Sequence, residues 1–243
     1  MKLEPDYIFP EIDGFKGNVL DAYLADGYYR MQHLIFTTHH TQIDTNSHRL
    51  PVFWLRTIIS AIKEKKSAHT IRKKCSEFKV TYQPAKVTEE IENLYALYKN
   101  HVHFSTADTC NEYLHMDLFE NPWDAWMIEI RDGTLLIAVG YFDKGTNAIA
   151  GILNIYHPSY HQYSLGKYLI LQKIDYAKNN QINYYYTGYI STASTKFDYK
   201  IFPDIHSMQV FLPVEKKWAP YAYFTKDLLE AYFFNHILGM NFE

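Results

Sequence analysis

Residues 125 to 191 contain an order of elements that limits the folds open to this chain. Three β-rich runs, AWMIEIR, TLLIAVGYF and AIAGILNIYH, follow one another with tight turns between them, the first at Asp132-Gly133. A helical pattern comes next, from Leu165 to Lys178, and then the tyrosine-rich run YYYTGY. Strands joined by hairpins and followed by a helix and a further strand are typical of a mixed sheet. The order therefore predicts an α/β protein with a mixed, largely antiparallel sheet flanked by helices.

The tyrosine-rich run is a candidate ligand-binding strand. Its period of two places Tyr184 and Tyr186 on one face and Tyr185 and Thr187 on the other. Gly188 interrupts the run, and glycine inside a strand marks a bulge or a place where a ligand or another backbone comes close. The loop that follows carries hydroxyl and amino groups, on Ser191, Thr192, Ser194, Thr195, Lys196, Tyr199 and Lys200. The pattern alone also fits a core strand followed by a solvated loop, so both interpretations stay open.

This stretch resembles the signature of the arginyl-tRNA–protein transferases and their bacterial leucyl-tRNA–protein relatives. In that family an aromatic strand ends in Gly-Tyr or Gly-Phe, and a Lys-Met-x-Tyr-Lys element follows. Here Gly188 and the run KFDYK, which begins at Lys196, stand in the same register. Phe197 occupies the place of the usual Met, and Ser194 stands where many members have Cys.

Two further similarities lie upstream, in the family's order. SLGKYLILQKIDYAK, from Ser164 to Lys178, resembles the family's Ser-Leu-Gly, helix and Gln-Ile run, and LADGYYR, with Gly27 and Arg30, is similar to its Gly-Phe-Arg-Arg. The resemblance covers roughly residues 15 to 220. It implies a GNAT-like acyltransferase fold, whose core has the same element order, at residues 88–243. A smaller N-terminal α/β region at residues 1–87, with a His-rich loop and a basic segment, is expected to precede it.

The resemblance also implies an activity. Members move an amino acid, Arg or Leu, from tRNA to the N-terminal amine of proteins that begin with Asp or Glu. The expected partners are therefore aminoacyl-tRNA and acceptor proteins with acidic N-termini, in the cytoplasm and without a cofactor. Two alternatives stay open: an acetyl-CoA-dependent N-acyltransferase on the same fold, and a non-catalytic tRNA- or peptide-binding relative. Ser164 counts against the first, because it replaces a glycine of the pyrophosphate loop found in acetyl-CoA users.

The matched positions supply the candidate site. Hydroxyl groups that could hydrogen bond around the reacting centre belong to Tyr184, Tyr186, Ser194 and Tyr199. The candidate substrate-binding residues are Arg30, Ser164, Gly166, Gly188, Lys196 and Lys200. Ser164 and Gly166 open a helix after a strand, where free backbone N–H groups and the helix dipole favour an anion. Lys196 and Lys200 are candidates for contact with the acceptor's acidic side chain or with the terminal phosphate of tRNA.

A basic segment contrasts with the net charge of −3 and the pI of about 6.5. KEKKSAHTIRKK, from Lys63 to Lys74, contains six Lys or Arg and one Glu. The global charge predicts no nucleic-acid partner, but a local basic patch can still steer a polyanion. The predicted tRNA contacts are Lys65, Lys66, Arg72, Lys73 and Lys74. The alternative interpretation of this charge run is a solvated helix face.

Cysteine and histidine content argues against a metal centre. The two cysteines, Cys75 and Cys110, are too few for a disulfide framework or a four-Cys site, and the cysteine cluster usual in the family is missing. A polar loop holds His39, His40, Asp44 and His48, but their spacing matches no standard zinc site. Neither a metal nor a cofactor is expected. No run of about 18 apolar residues occurs, so no membrane span is expected either.

Overall fold

The computed structural model describes residues 5–11, 14–41, 50–102, 106–115 and 121–239. The strands are β1 (Asp6–Ile8), β2 (Tyr29–Met31), β3 (Leu34–Thr37), β4 (His40–Thr41), β5 (Leu50–Ile58), β6 (Lys79–Pro84), β7 (Ala125–Asp132), β8 (Leu135–Lys144), β9 (Ala148–Tyr156), β10 (Tyr184–Ser191), β11 (Met208–Leu212) and β12 (Lys217–Pro220). The α-helices are α1 (Gly17–Ala25), α2 (Lys66–Lys74), α3 (Glu89–His101), α4 (Cys110–Leu114), α5 (Leu165–Asn179) and α6 (Lys226–Tyr232). A π-helical turn, Phe233–Ile237, extends α6.

Nine of the strands form one sheet in the order β12-β11-β5-β10-β9-β8-β7-β6, with β4 paired to the start of β5. The pair β9 and β10 is parallel, because α5 carries the chain back across the sheet between them, and the other pairs are antiparallel. A second sheet has the order β1-β3-β2. The predicted fold class, α/β with a mixed, largely antiparallel sheet and the GNAT-like order of elements, is confirmed.

Strands from both sides of residue 88 share the large sheet. β5 lies between β10 and β11, and β6 pairs with β7. The boundary predicted between residues 87 and 88 falls in the connection from β6 to α3. The N-terminal region at residues 1–87 therefore builds the same sheet as the region at residues 88–243, and whether either folds alone stays a prediction.

The alternation predicted for β10 is confirmed by its packing on both faces. Tyr185 lies in the hydrophobic cluster beneath α5, with Leu169 and Phe142. Tyr186 lies in the cluster on the opposite face, with Trp54 and α1. Each large apolar side chain buried in this way contributes roughly 1.5–3 kcal/mol. These two clusters hold the middle of the sheet rigid around the strand.

Local capping explains where two helices begin and end. The sequence predicts that Thr88 caps a helix, and in the structure the Thr88 side chain accepts a hydrogen bond from the Ile91 N–H at the start of α3. The sequence predicts a helix from Asp108 to Leu118, and the observed α4 is shorter: it ends at Leu114, and His115 follows with a left-handed φ of 48°. The rest of that prediction falls on residues 116–120, outside the described residues. None of the helices in the described ranges is long and apolar enough to cross a membrane.

Candidate functional site

β9 and β10 pair over three residues each and then separate. Ala148 to Ala150 pair with Tyr184 to Tyr186, after which β9 continues beside β8 and β10 continues beside β5. Both strands are bulged where they part, at Ile152 in β9 and between Tyr186 and Gly188 in β10. Because a bulge bends a strand and ends its pairing, the two strands open a cleft. We call this the β9/β10 cleft, lined by residues 151–156 and 187–191.

Two tyrosines fix the closed end of the cleft. The Tyr29 hydroxyl lies 3.0 Å from the Tyr186 carbonyl and also contacts the Gly151 carbonyl, so its proton can be donated to either strand. Burial raises the pKa of Tyr29 well above its ordinary value, and the hydroxyl stays a donor. From the other face, the Tyr185 hydroxyl lies 2.7 Å from where a Cβ on Gly151 would stand. Any larger residue at position 151 would displace it.

Tyrosines also line the open side. The rings of Tyr98, on α3, and Tyr156, on β9, meet edge to face at 5.2 Å between centroids. Tyr199, from the turn after β10, is 45% exposed. Burial of its hydroxyl raises the pKa of Tyr199, and the neighbouring Tyr113 and Tyr156 raise it further. The cleft therefore presents neutral hydroxyl donors on an aromatic surface.

Lys200 reaches back from the 3₁₀ turn Asp198–Ile201 to β10. Its Nζ donates to the Tyr189 carbonyl at 3.0 Å and lies 4.9 Å from the ring centroids of both Tyr189 and Phe197. A Cβ at Gly188 would stand 2.8 Å from this Nζ, and Gly188 has a φ of +95°, so only glycine suits the position. The predicted interruption at Gly188 is thus a bulge that admits Lys200. Burial lowers the pKa of Lys200 to about 7, and the nearby Lys196 contributes in the same direction.

The loop that carries Lys200 is held by the C-terminal helix. Lys226, on α6, donates to the Ser194 carbonyl at 2.9 Å and pairs with Asp198 at 2.8 Å. The Ser194 hydroxyl accepts the Lys196 N–H at 3.2 Å, so this predicted catalytic hydroxyl shapes the loop. The Lys196 ammonium lies over the Phe197 ring at 5.4 Å.

Two predicted catalytic tyrosines lie outside the cleft. Tyr184 and Tyr186 precede the point where the strands part, on the face opposite α5. The Arg56 guanidinium stacks over the Tyr184 ring at 4.3 Å and donates to the Tyr186 hydroxyl at 3.2 Å. Trp218 covers the other side of Arg56 at 4.5 Å. This packing supports a structural role for Tyr184 and Tyr186, and the catalytic roles of these two tyrosines and of Tyr199 stay predictions.

Arg30 is also engaged inside the protein. Its side chain is 3% exposed and its Nη1 donates to Asp143, which is fully buried, at 2.7 Å. Its Nε donates to the Gln32 carbonyl at 2.8 Å, and its Nη2 donates to the Leu114 carbonyl. The guanidinium is part of a buried ion pair that joins β2 to β8, and the predicted substrate contact of Arg30 stays a prediction.

The start of α5 lies at the mouth of the cleft. Ser164 is exposed, has a left-handed φ of 54°, and its carbonyl accepts the N–H groups of Lys167 and Tyr168. A Cβ at Gly166 would stand 3.3 Å from the Tyr156 ring. Ser164 and Gly166 are therefore brought next to the aromatic lining, where an anion could meet the first turn of the helix.

The basic segment forms α2 and packs against α5. Arg72 is paired with Glu64 at 2.7 Å and with Asp175 at 2.6 Å, an intramolecular bridge that leaves its tRNA contact a prediction. The other predicted tRNA-binding side chains are exposed: Lys65, Lys66, Lys73 and Lys74. Lys74 donates to the Gln162 carbonyl at 3.2 Å, just before α5. One end of the basic surface thus adjoins the mouth of the cleft.

Neither cysteine is available for ordinary thiol chemistry. Cys75 and Cys110 are free and buried, and burial raises the pKa of Cys75 to about 11 in spite of Lys74 beside it. Among the described residues, no group of three or more His, Cys, Asp or Glu could hold a metal ion. Asp44 and His48 lie outside the described residues, so the expectation of no metal stays a prediction.

Two polar residues near the cleft were not predicted from the sequence, although both break an apolar pattern. Asn154 interrupts the strand run AIAGILNIYH. Lys173 stands four residues after Leu169 on the buried face of α5 and is 1% exposed. A polar residue at an apolar position of its element is the signal that could have identified them.

Comparisons with known proteins agree with the motif resemblance. A family model described as arginine-tRNA-protein transferase, C terminus, matches residues 90–204, which contain the cleft and Lys200. An aspartate/glutamate leucyltransferase of Leptospira interrogans is 26% identical over 199 residues, 79% of this chain and 74% of that protein. One of Nitrosococcus oceani is 32% identical over 107 residues, 43% of each chain. Among solved structures, FemX aligns with a TM-score of 0.46 at 9% identity, over 79% of this chain and 65% of that one.

Proposed function

We propose that the chain, which is similar over residues 90–204 to the arginine-tRNA-protein transferase family and over most of its length to an aspartate/glutamate leucyltransferase, moves leucine from tRNA to the N-terminal amine of proteins that begin with Asp or Glu. The observation that carries the proposal is the β9/β10 cleft, an aromatic opening with Lys200 at one wall and the start of α5 at its mouth. Aminoacyl-tRNA is a cytoplasmic molecule, so we expect the protein to act in the cytoplasm.

The reaction is aminolysis of an ester. The amine nitrogen attacks the aminoacyl carbonyl carbon, a C–N bond forms, the C–O bond to the terminal ribose breaks, and the proton lost by the amine ends on the ribose oxygen. The ester is already activated, so the protein has to orient two substrates and stabilise the tetrahedral oxyanion. An N-terminal amine with a pKa of about 7.7–8.0 is partly neutral at pH 7, and a strong base is not required.

The lining of the cleft favours leucine over arginine. Tyr98, Tyr156 and Tyr199 offer an aromatic surface of the kind that buries an aliphatic side chain. A guanidinium is held most strongly by a carboxylate, through a bidentate pair. In the described part of the chain, two buried or half-buried carboxylates around the cleft are already paired, Asp143 with Arg30 and Asp198 with Lys226.

Lys200 suits an acidic acceptor. A lysine ammonium has three donors, and in the described residues Lys200 uses one of them, on the Tyr189 carbonyl. The remaining donors can meet the side-chain carboxylate of an N-terminal Asp or Glu. Lys196, four residues earlier, adds positive charge on the same loop.

The function is tested by following labelled Leu and Arg from tRNA to peptides that begin with Asp, Glu or Ala. The expected result is transfer of Leu to the Asp and Glu peptides. Transfer of Arg in place of Leu would show that the reaction is as proposed but that the amino acid carried is arginine. Acetylation of the peptides, with micromolar acetyl-CoA binding by calorimetry, would contradict the proposal and support an acetyl-CoA-dependent acyltransferase. Binding of tRNA without transfer would indicate a non-catalytic relative.

The exposed lysines of α2 are expected to bind tRNA phosphates. Replacing Lys65, Lys66, Lys73 and Lys74 together by Gln should weaken tRNA binding and flatten its salt dependence. Every phosphate that is no longer neutralised should reduce the slope of log K against log salt by roughly 0.7–0.9. A control variant with Gln at three exposed lysines elsewhere, Lys16, Lys216 and Lys217, should keep the wild-type slope. An unchanged slope in the α2 variant would show that these lysines do not contact tRNA phosphates and that α2 presents only a solvated face.

A further inference from the structure

Asn154 stands in the part of β9 that β10 has left. It lies four residues beyond Ala150, the last residue of β9 to pair with β10, and opposite Gly140 of β8. It is half-buried, although it sits inside the apolar run of a central strand. Strand alternation puts it on the same face as Tyr156, which lines the cleft. A half-buried polar side chain thus stands beside the cleft, on the face of the sheet that α5 covers.

Lys173 determines which way the Asn154 amide points. The Lys173 Nζ, on α5, donates to the Asn154 Oδ1 at 2.8 Å. Protonated Lys173 has three donors and no acceptor, so it holds the oxygen of the amide toward itself and the NH₂ group away from it. Among the described residues, that NH₂ group has no hydrogen-bond partner, and its half-buried residue is reachable from solvent.

Burying the Lys173 side chain at this position costs free energy. It is 1% exposed, and burial lowers the pKa of Lys173 to about 7, a shift that Asp143 partly offsets. Gly140 leaves the space for the pair, because a Cβ there would stand 3.0 Å from the Asn154 Oδ1 and 3.4 Å from the Lys173 Cε. A buried lysine that donates to a neighbouring amide oxygen is well placed to hold that amide still.

We propose that Asn154 donates a hydrogen bond to the carbonyl oxygen of the aminoacyl ester as it becomes an oxyanion, and that Lys173 is the positioning residue that holds the Asn154 amide in this orientation. The role rests on the proposed transfer reaction. A neutral N–H donor fixed before the reaction stabilises the charge that develops on the oxygen more than it stabilises the substrate. Removal of this donor should therefore lower kcat and leave KM for aminoacyl-tRNA nearly unchanged.

The decisive variant is Asn154→Asp. It keeps the shape of the side chain and an oxygen acceptor for Lys173, but it removes both N–H donors and adds a negative charge. We expect kcat to fall by about 100- to 1,000-fold, with KM near the wild-type value and the melting temperature unchanged or raised. Lys173→Met should lower kcat by up to about 100-fold, because the amide is then free to turn. Asn154→Ala should also have a low kcat. Adding Lys173→Met to Asn154→Ala should lower kcat no further, because Lys173 acts only through the Asn154 amide.

The outcomes separate this role from the proposed function. If the wild-type protein transfers the amino acid and the Asn154→Asp variant does so with the same kcat, the role of Asn154 is overturned and the proposed function stands. A loss of kcat in Lys173→Met that persists in the Asn154→Ala background would overturn the positioning role of Lys173. A folded wild type that transfers neither Leu nor Arg from tRNA would overturn the proposed function, and this role with it.

Discussion

Lys200→Met is expected to lower kcat/KM for peptides that begin with Asp by roughly 10- to 150-fold, the equivalent of about 1.5–3 kcal/mol for a hydrogen bond to a charged group. Met keeps the apolar stem between the Tyr189 and Phe197 rings, so the loop should keep its packing. A matched peptide that begins with Asn should lose little, because it has no carboxylate for Lys200 to hold. Steady-state transfer to the two peptides measures the difference.

The same residue predicts a pH dependence. Only protonated Lys200 can hold a carboxylate, and burial lowers the pKa of Lys200 to about 7. The ratio of kcat/KM for the Asp peptide to that for the Asn peptide should therefore fall as pH rises through about 7 in the wild type. Ionisation of the attacking amine largely cancels in this ratio. In Lys200→Met the ratio should stay flat with pH.

Other outcomes would assign Lys200 differently. Equal losses on both peptides, with weaker tRNA binding, would mean that Lys200 contacts a phosphate near the aminoacyl end. Wild-type rates on both peptides would show that Lys200 is not part of the site. They would also weaken the assignment of the family motif's role to this chain. Lys217→Met, at an exposed position on β12, is the control and should change neither rate.

Arg30→Met is expected to destabilise the protein by about 3–5 kcal/mol, because it leaves the buried Asp143 carboxylate without its partner. For a chain of this size that corresponds to a fall in melting temperature of roughly 6–20 °C. The double variant Arg30→Met, Asp143→Leu should recover much of the loss, because no unpaired charge then remains inside. Thermal or urea unfolding of the three proteins measures this. A single variant with wild-type stability would show that the pair contributes little.

The sign of the pH effect follows from Asp143. Burial raises the pKa of Asp143 above its usual value and Arg30 opposes that rise, so removing Arg30 should raise it further. A carboxyl group whose pKa is raised on folding favours the folded state at low pH, and that contribution is lost as pH rises through the folded-state pKa. The stability deficit of Arg30→Met should therefore grow from acidic to neutral pH. A deficit that shrinks over this range would contradict the assignment.

The sequence by itself determined the features that depend on neighbours along the chain. The order of three strands, a helix and a tyrosine strand, the opposite faces of Tyr185 and Tyr186, and the Thr88 cap all follow from spacing of a few residues. Gly188 belongs to this group as well, because a glycine inside a strand already signals a bulge. The motif around Gly188 and Lys200 also indicated the family whose model matches residues 90–204.

The tertiary structure alone decided which of the candidate side chains are free to act. Arg30 and Asp143 are 113 residues apart in the chain, and Arg72 and Asp175 are 103 apart, so neither pairing leaves a local trace in the sequence. Asn154 gains its place in the cleft only because β10 leaves β9 four residues before it. A side chain's chemistry depends on partners that the fold brings together, and local pattern carries no information about contacts at such separations.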